Sequence, residues 1–146
     1  MFSIAMDSHK RYSQVCVQLD GRVLLEHRIE HRPGAIAEWL GQFPAGTAVA
    51  LETVGNWYWI VSEIEQAGMS PQLVHAHKAT LMLGCVNKTD KLDARGLARL
   101  QQNRTVPTVW IPPGAVRDRR ELPRVRMVVA QQRTRLKNHI HATVDK

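Results

Sequence analysis

Residues 2–29 carry three consecutive strand patterns, and only after them do apolar strands begin to alternate with helical patterns. FSIAMD (2–7) reads as a short buried strand. SQVCVQL (13–19) alternates strictly, with Val15, Val17 and Leu19 on one face. Asp20-Gly21 is a two-residue hairpin signal, and RVLLEHRI (22–29) is the return strand. Pro33 suits the first position of a helix whose Ile36, Leu40 and Phe43 recur at helical spacing. TAVALE (47–52) is a second buried strand. Gly55 precedes an amphipathic helix, NWYWIVSEIEQAG, closed by its glycine. PQLV (71–74) is another strand, helices are predicted around 76–83 and over 90–102, and TVWIPP (108–113) predicts a short strand ended by prolines. The remainder, 114–146, is a long basic helical pattern that Pro123 should kink or start. This order predicts an α/β fold, a mixed sheet flanked by helices and followed by a long basic C-terminal helix. A meander followed by right-handed crossovers places the first strand centrally.

With 146 residues, 44% of them hydrophobic, the chain holds enough apolar material for one core, which argues against disorder. No apolar run reaches the ~18 residues of a membrane span, and MFSIAMDSHK lacks the layout of a signal peptide. Cys16 and Cys85 suggest neither a disulfide framework nor a zinc knuckle, as expected of a cytoplasmic chain. Charge divides the sequence. Residues 1–103 hold ten Lys+Arg and ten Asp+Glu, whereas residues 104–146 hold ten and three and so carry the whole +7. A basic segment on a neutral domain fits a polyanionic partner, nucleic acid above all, or simply a solvated helix. The expected division is a domain over 1–112 and a basic helical segment over 113–146 for dimerisation and nucleic-acid binding.

Four acids occupy unusual places. Asp7 ends the first strand and shares a face with Ala5 and Ser3, while Glu52 ends its own strand on a face with Ala50 and Ala48. If these strands are parallel neighbours, both acids emerge at one carboxyl edge, where open α/β sheets place their sites. Asp90 and Asp93 share one face of a predicted helix, and Leu97 and Leu100 continue that stripe toward the domain body. Each acid has a plainer reading. Asp90 and Asp93 suit a helix N-terminus, Asp7 a turn, and Glu52 a salt bridge. Together, however, four converging carboxylates repel one another unless divalent cations neutralise them. Two hard cations about 4 Å apart are apparatus for in-line attack on a phosphodiester.

IAMDSHK, ALETVGNWYW, the NKTDKLDARGLARL block, WIPP and QQRTRLKNHIHA together resemble the N-terminal domain of the DEDD transposases of bacterial insertion sequences, the insertion-sequence-110 type. The resemblance spans nearly the whole chain, and KTDKLDAR is its most specific part. It implies a RuvC-like, ribonuclease H-like domain with Asp7, Glu52, Asp90 and Asp93 as the catalytic, metal-binding DEDD set. It further implies two Mg²⁺ or Mn²⁺ ions, DNA as substrate, and a structured guide RNA encoded by the same element. A second domain supplying a serine nucleophile is expected after residue 146, so that full recombination needs more than these residues. A junction-resolving or DNA-inverting recombinase is the neighbouring alternative. A non-catalytic nucleic-acid-binding assembly module is the alternative of another class, and it needs no four-acid cluster.

Lys88 and the stripe Lys91, Arg95 and Arg99 are candidate phosphate contacts beside the acids, or else a solvated face. Arg124, Arg126, Arg133, Arg135 and Lys137 offer the same contact on the C-terminal helix. There Val125, Val129, Leu136, Ile140 and Val144 form a narrow apolar seam suited to pairing between subunits. Trp39, Trp57 and Trp59 are expected to pack in the core rather than to serve as base-stacking platforms. His9 and Lys10 follow Asp7 and read as loop residues within reach of phosphate. His75 with His77, and His139 with His141, do not converge at ligand spacing, so a zinc site is not expected.

Overall fold

A computed structural model describes residues 2–53, 55, 57–84 and 90–144, with the side chains of 90–93 outside the description. The chain divides into two compact units, Met1–Trp110 and Ile111–Lys146.

The first unit is built on a five-stranded sheet of β1 (Phe2–Ser8), β2 (Tyr12–Leu19), β3 (Arg22–Glu30), β4 (Ala48–Glu52) and β5 (Ser70–Val74), in spatial order β3-β2-β1-β4-β5. β1 is central, as the meander-then-crossover pattern predicts. It pairs antiparallel with β2 and parallel with β4, and β4 pairs parallel with β5. The turn at Asp20-Gly21 has φ of 48° and 80°, the left-handed values that a tight hairpin requires. β2 departs from its alternating pattern. Gln14, Cys16 and Gln18 are buried along with Val15 and Val17, because helices cover both faces of the sheet.

α1 (Ala35–Leu40) and α2 (Trp57–Gln66) pack on the face that carries Ile4, Met6, Val15 and Val49. Two ring contacts fix that side: His27 of β3 stacks on Trp39 of α1 at 5.4 Å, and His31 meets Trp59 of α2 edge-on at 5.2 Å. All three helical tryptophans, including Trp57 beside Tyr58, are half-buried at the rim of the core. α1 does not begin at Pro33. Gly34 takes a left-handed φ of 81°, and the buried Glu63 of α2 supplies the missing cap. Its carboxylate accepts from the Gly34 N–H at 2.8 Å and the Ala37 N–H at 3.1 Å, so a neighbouring helix sets the start of α1.

α3 (Ala76–Leu83) and α4 (Asp90–Gln102) have the predicted bounds. His75 caps α3, its Nδ1 accepting from the Lys78 N–H at 3.4 Å. α4 covers the small-residue face, where Ala94, Leu97, Ala98 and Leu100 pack with Ala5, Cys16, Ala50 and Val74. Gly96 leaves room for Leu83 of α3, since a Cβ there would stand 2.8 Å from the leucine Cδ1. The TVWIPP segment forms no full strand. It makes one antiparallel bridge, Val74 with Thr108, flanked by bonds from His75 N–H to Pro107 O and from Val109 N–H to Leu73 O. Prolines at 107, 112 and 113 remove the donors that a longer ladder needs.

The second unit is dominated by α5 (Gly114–Val144), 31 residues long and about 46 Å by helical rise. It runs through Pro123 as one helix, so the main helix does not start there. The ring costs one backbone bond, and on an exposed helix water can take the freed Arg119 carbonyl. α5 buries none of its residues. Among the described residues no helix is long and apolar enough to cross a membrane.

Candidate functional site

The parallel register of β1 and β4 runs Ser3–Ala48, Ile4–Val49, Ala5–Ala50, Met6–Leu51. The next pair in that register is Asp7 and Glu52. Both acids therefore stand side by side at the carboxyl edge of the two central strands, on the face with Ala5 and Ala50. Asp7 is 8% exposed and Glu52 half-buried. A carboxylate so buried needs partners, and His9 Nε2 lies 3.1 Å from Asp7 Oδ2.

α4 runs antiparallel to these strands. At its C-terminal end, Gln101 Nε2 donates to the carbonyl of Ala48, the first residue of β4, at 3.4 Å and to Gln72 Oε1 in the middle of β5 at 3.2 Å. Gln102 packs against Gly21, in the turn at the same end of the sheet. A helix of 13 residues spans about 20 Å, the length of β1's seven. Its first turn, which begins at Asp90 and includes Asp93, thus lies toward the edge where Asp7 and Glu52 emerge. The side chains of Asp90, Lys91 and Asp93 and the whole of Lys88 lie outside the described residues. Among the described residues, no group of three or more His, Cys, Asp or Glu side chains is arranged to hold a metal.

Arg95 and Arg99 are the described cationic candidates of the sheet unit. Arg95 reaches across the sheet to β3, where its Nε pairs with Glu26 Oε1 and its Nη2 donates to Glu26 Oε2 at 3.0 Å. The hydrogen bond and charge of Glu26 raise the guanidinium above its usual range. Burial, then the Glu26 charge, raises the Cys16 thiol beneath. Arg99 is exposed. Arg124 Nη1 donates to Glu121 Oε1 at 2.9 Å, and Arg126, Arg133, Arg135 and Lys137 are exposed along α5.

Pairing adds two residues that sequence reasoning did not single out. Gln14 stands opposite Asp7, and Arg28 stands opposite Gln14, so the three form one cross-strand row. Counting back from the two-residue turn would set His27, not Arg28, opposite Gln14. An irregularity between Val17 and Gln18 skips Leu24 and shifts the register by one, which turns Arg28 and Glu26 onto the Asp7 face. No local signal announces that bulge. On the opposite face, Ser8 Oγ and Ser13 Oγ are 2.9 Å apart, and Ser13 Oγ meets the half-buried His31 Nε2 at 2.8 Å, a polar chain just behind Asp7.

A mixed five-stranded sheet of this order, covered on both faces and ending in paired acids at its central carboxyl edge, is a ribonuclease H-like domain. Thermus thermophilus RuvC in complex with a Holliday junction substrate shares the fold, with a TM-score of 0.52 at 13% identity over 75% of this chain and 99% of that one. A second T. thermophilus RuvC structure matches with a TM-score of 0.48 at 14% identity over 75% of this chain and all of that one. No curated protein sequence matches. The chain belongs to the DEDD transposases of the insertion-sequence-110 type, a family described as transposase, whose profile it matches over residues 4–146.

Proposed function

We propose that this chain is the strand-cleaving domain of a DNA transposase or recombinase whose chemistry centres on Asp7, Glu52, Asp90 and Asp93. The supporting observation is the β1–β4 register, in which Asp7 and Glu52 follow Met6 and Leu51 at one edge. The direction of α4, whose first turn holds the other two acids, supports the same reading. All four side chains are hard oxygen donors, the set that suits Mg²⁺ or Mn²⁺, and together they would hold two such ions. Bound there, the ions would polarise a phosphodiester and favour attack upon it. The chain's own part is positioning. Two strands in fixed register hold Asp7 and Glu52, and the His9 imidazole orients the Asp7 carboxylate. The layer of α4 over Ala5 and Ala50 keeps bulk water from beneath them.

The substrate in this reading is DNA, bound also by Lys88, Lys91, Arg95, Arg99 and the arginines of α5, with a structured RNA as guide. The exposed seam Val125, Val129, Leu136, Ile140 and Val144 pairs two copies. The cell compartment is the bacterial cytoplasm, and the domain division falls near residue 112. A cleavage assay tests the central part. With Mn²⁺, and water as the attacking nucleophile in place of the serine expected for recombination, the chain should nick labelled duplex and four-way junction DNA by hydrolysis. Asp7→Asn should abolish nicking while leaving DNA binding intact. Equal nicking by the variant would remove Asp7 from the chemistry.

A further inference from the structure

The carboxyl edge carries a second set of side chains beside the acids. The β1–β2 turn places Lys10 and Arg11 at its tip, and both are exposed. Among the described residues neither side chain makes an ion pair or hydrogen bond. From Asp7 a chain of contacts leads outward: His9 Nε2 at 3.1 Å, then the His9 and Tyr12 rings at 4.7 Å, then the Arg28 guanidinium 3.7 Å over the Tyr12 ring. His9, Tyr12 and Arg28, with Lys10, Arg11 and Glu30, line a groove of about 550 Å³. Arg28 is two strands from Asp7 in the same cross-strand row, roughly 10 Å away by strand spacing.

We propose that Lys10, Arg11 and Arg28 form a phosphate-binding ridge that leads a DNA strand across the sheet edge to Asp7 and Glu52. This rests on the reading of those acids as the cleavage site. The chemistry is that of backbone recognition. Lys10 and Arg11 offer solvated cations at the tip of a tight turn. Arg28 offers a planar donor set whose orientation the Tyr12 ring restricts. Glu30 competes for Arg28 at 2.8 Å, but both side chains are more than half exposed, where such a pair is weak and a phosphate displaces it readily. Arg22 is the built-in comparison, because it is an exposed arginine at the start of β3, at the opposite end of the sheet.

The test uses the full chain and a fluorescein-labelled DNA duplex of mixed sequence, with affinity followed against salt. Each lost phosphate contact lowers the slope of log affinity against log salt by about 0.9 on duplex DNA. Lys10→Gln with Arg11→Gln should therefore lower it by about 1.8, and Arg28→Gln by about 0.9, with Arg22→Gln unchanged. An equal loss in Arg22→Gln, or no loss in the first two variants, would overturn the ridge. So would a loss seen only with an RNA hairpin as probe. Thermal shift by Mn²⁺ in the same variants separates the two levels. A ridge without a metal response removes the cleavage site and leaves the DNA contact. A metal response with unchanged slopes removes the ridge alone.

Discussion

The sheet unit and the C-terminal helix solve opposite problems with similar sequence material. Residues 1–110 bury Ile4, Met6, Val15, Leu51, Ile60, Leu73 and Leu97 to 2% exposure or less. Residues 111–146 place Val125, Val129, Leu136, Ile140 and Val144 on a helix that leaves each more than half exposed. The first unit satisfies its own apolar surface, and its charges nearly balance. The second carries nine Lys+Arg against three Asp+Glu and leaves an apolar stripe uncovered. A stripe beside a field of like charge gains most from a second helix and a polyanion. What holds the first unit together is therefore internal, and in the proposed reading a partner organises the second.

Substitutions separate the two. Val129→Asp with Leu136→Asp should convert a dimer to monomers, since charge in a closed apolar seam costs several kcal/mol per ion in order of magnitude. Circular dichroism should show the sheet unit still folded. A persistent dimer by light scattering would show that the seam is not the contact. In the core, Leu97→Ala should cost about 2–5 kcal/mol in denaturant unfolding, because Leu97 is wholly buried between α4 and the sheet. A smaller effect there than for Leu136→Ala in monomer would erase the contrast.

Glu63→Ala should cost about 2–3 kcal/mol, because it strips the start of α1 of two charge-assisted bonds inside the core. Asn at the same position, too short to reach both N–H groups, should recover little of it. A neutral outcome would show that α1 holds its start without the α2 carboxylate.

The smallest effect concerns acid. Burial lowers the His31 pKa, so the folded state takes up its proton less readily than the unfolded chain. Above the ordinary histidine value of about 6.5 the residue is neutral in both states and contributes no slope. As pH falls below it, the unfolded chain binds the proton first and stability declines. His31→Gln should flatten that decline in melting temperature between about pH 7 and pH 5. An unchanged decline would assign the acid sensitivity elsewhere.

Most of the fold is legible in the sequence because its cues are local. Asp20-Gly21 fixes the first hairpin, the apolar run of FSIAMD marks a strand that becomes central, and α3 and α4 start and stop where periodicity does. What stays hidden is decided between elements. Glu63 sets the start of α1 from another helix. The prolines around 108–113 reduce a strand pattern to one bridge. The bulge at Val17–Gln18 determines which β3 residues join the Asp7 face, and nothing in RVLLEHRI distinguishes Arg28 from His27 for that place. The emergence of Asp7 and Glu52 at one carboxyl edge is legible as a conditional statement. Both strand-end acids are visible, and only the parallel register of β1 and β4 makes them neighbours.

The central claim is that Asp7, Glu52, Asp90 and Asp93 act as one cation site. Melting temperature against Mn²⁺ concentration tests it most directly, because four close carboxylates destabilise the empty fold and an ion that binds only the folded state stabilises it. The wild-type chain should melt at progressively higher temperature as Mn²⁺ rises. The variant carrying Asp7→Asn, Glu52→Gln, Asp90→Asn and Asp93→Asn should melt higher than wild type without metal and show no Mn²⁺ response. An equal Mn²⁺ shift in the two proteins would contradict the account.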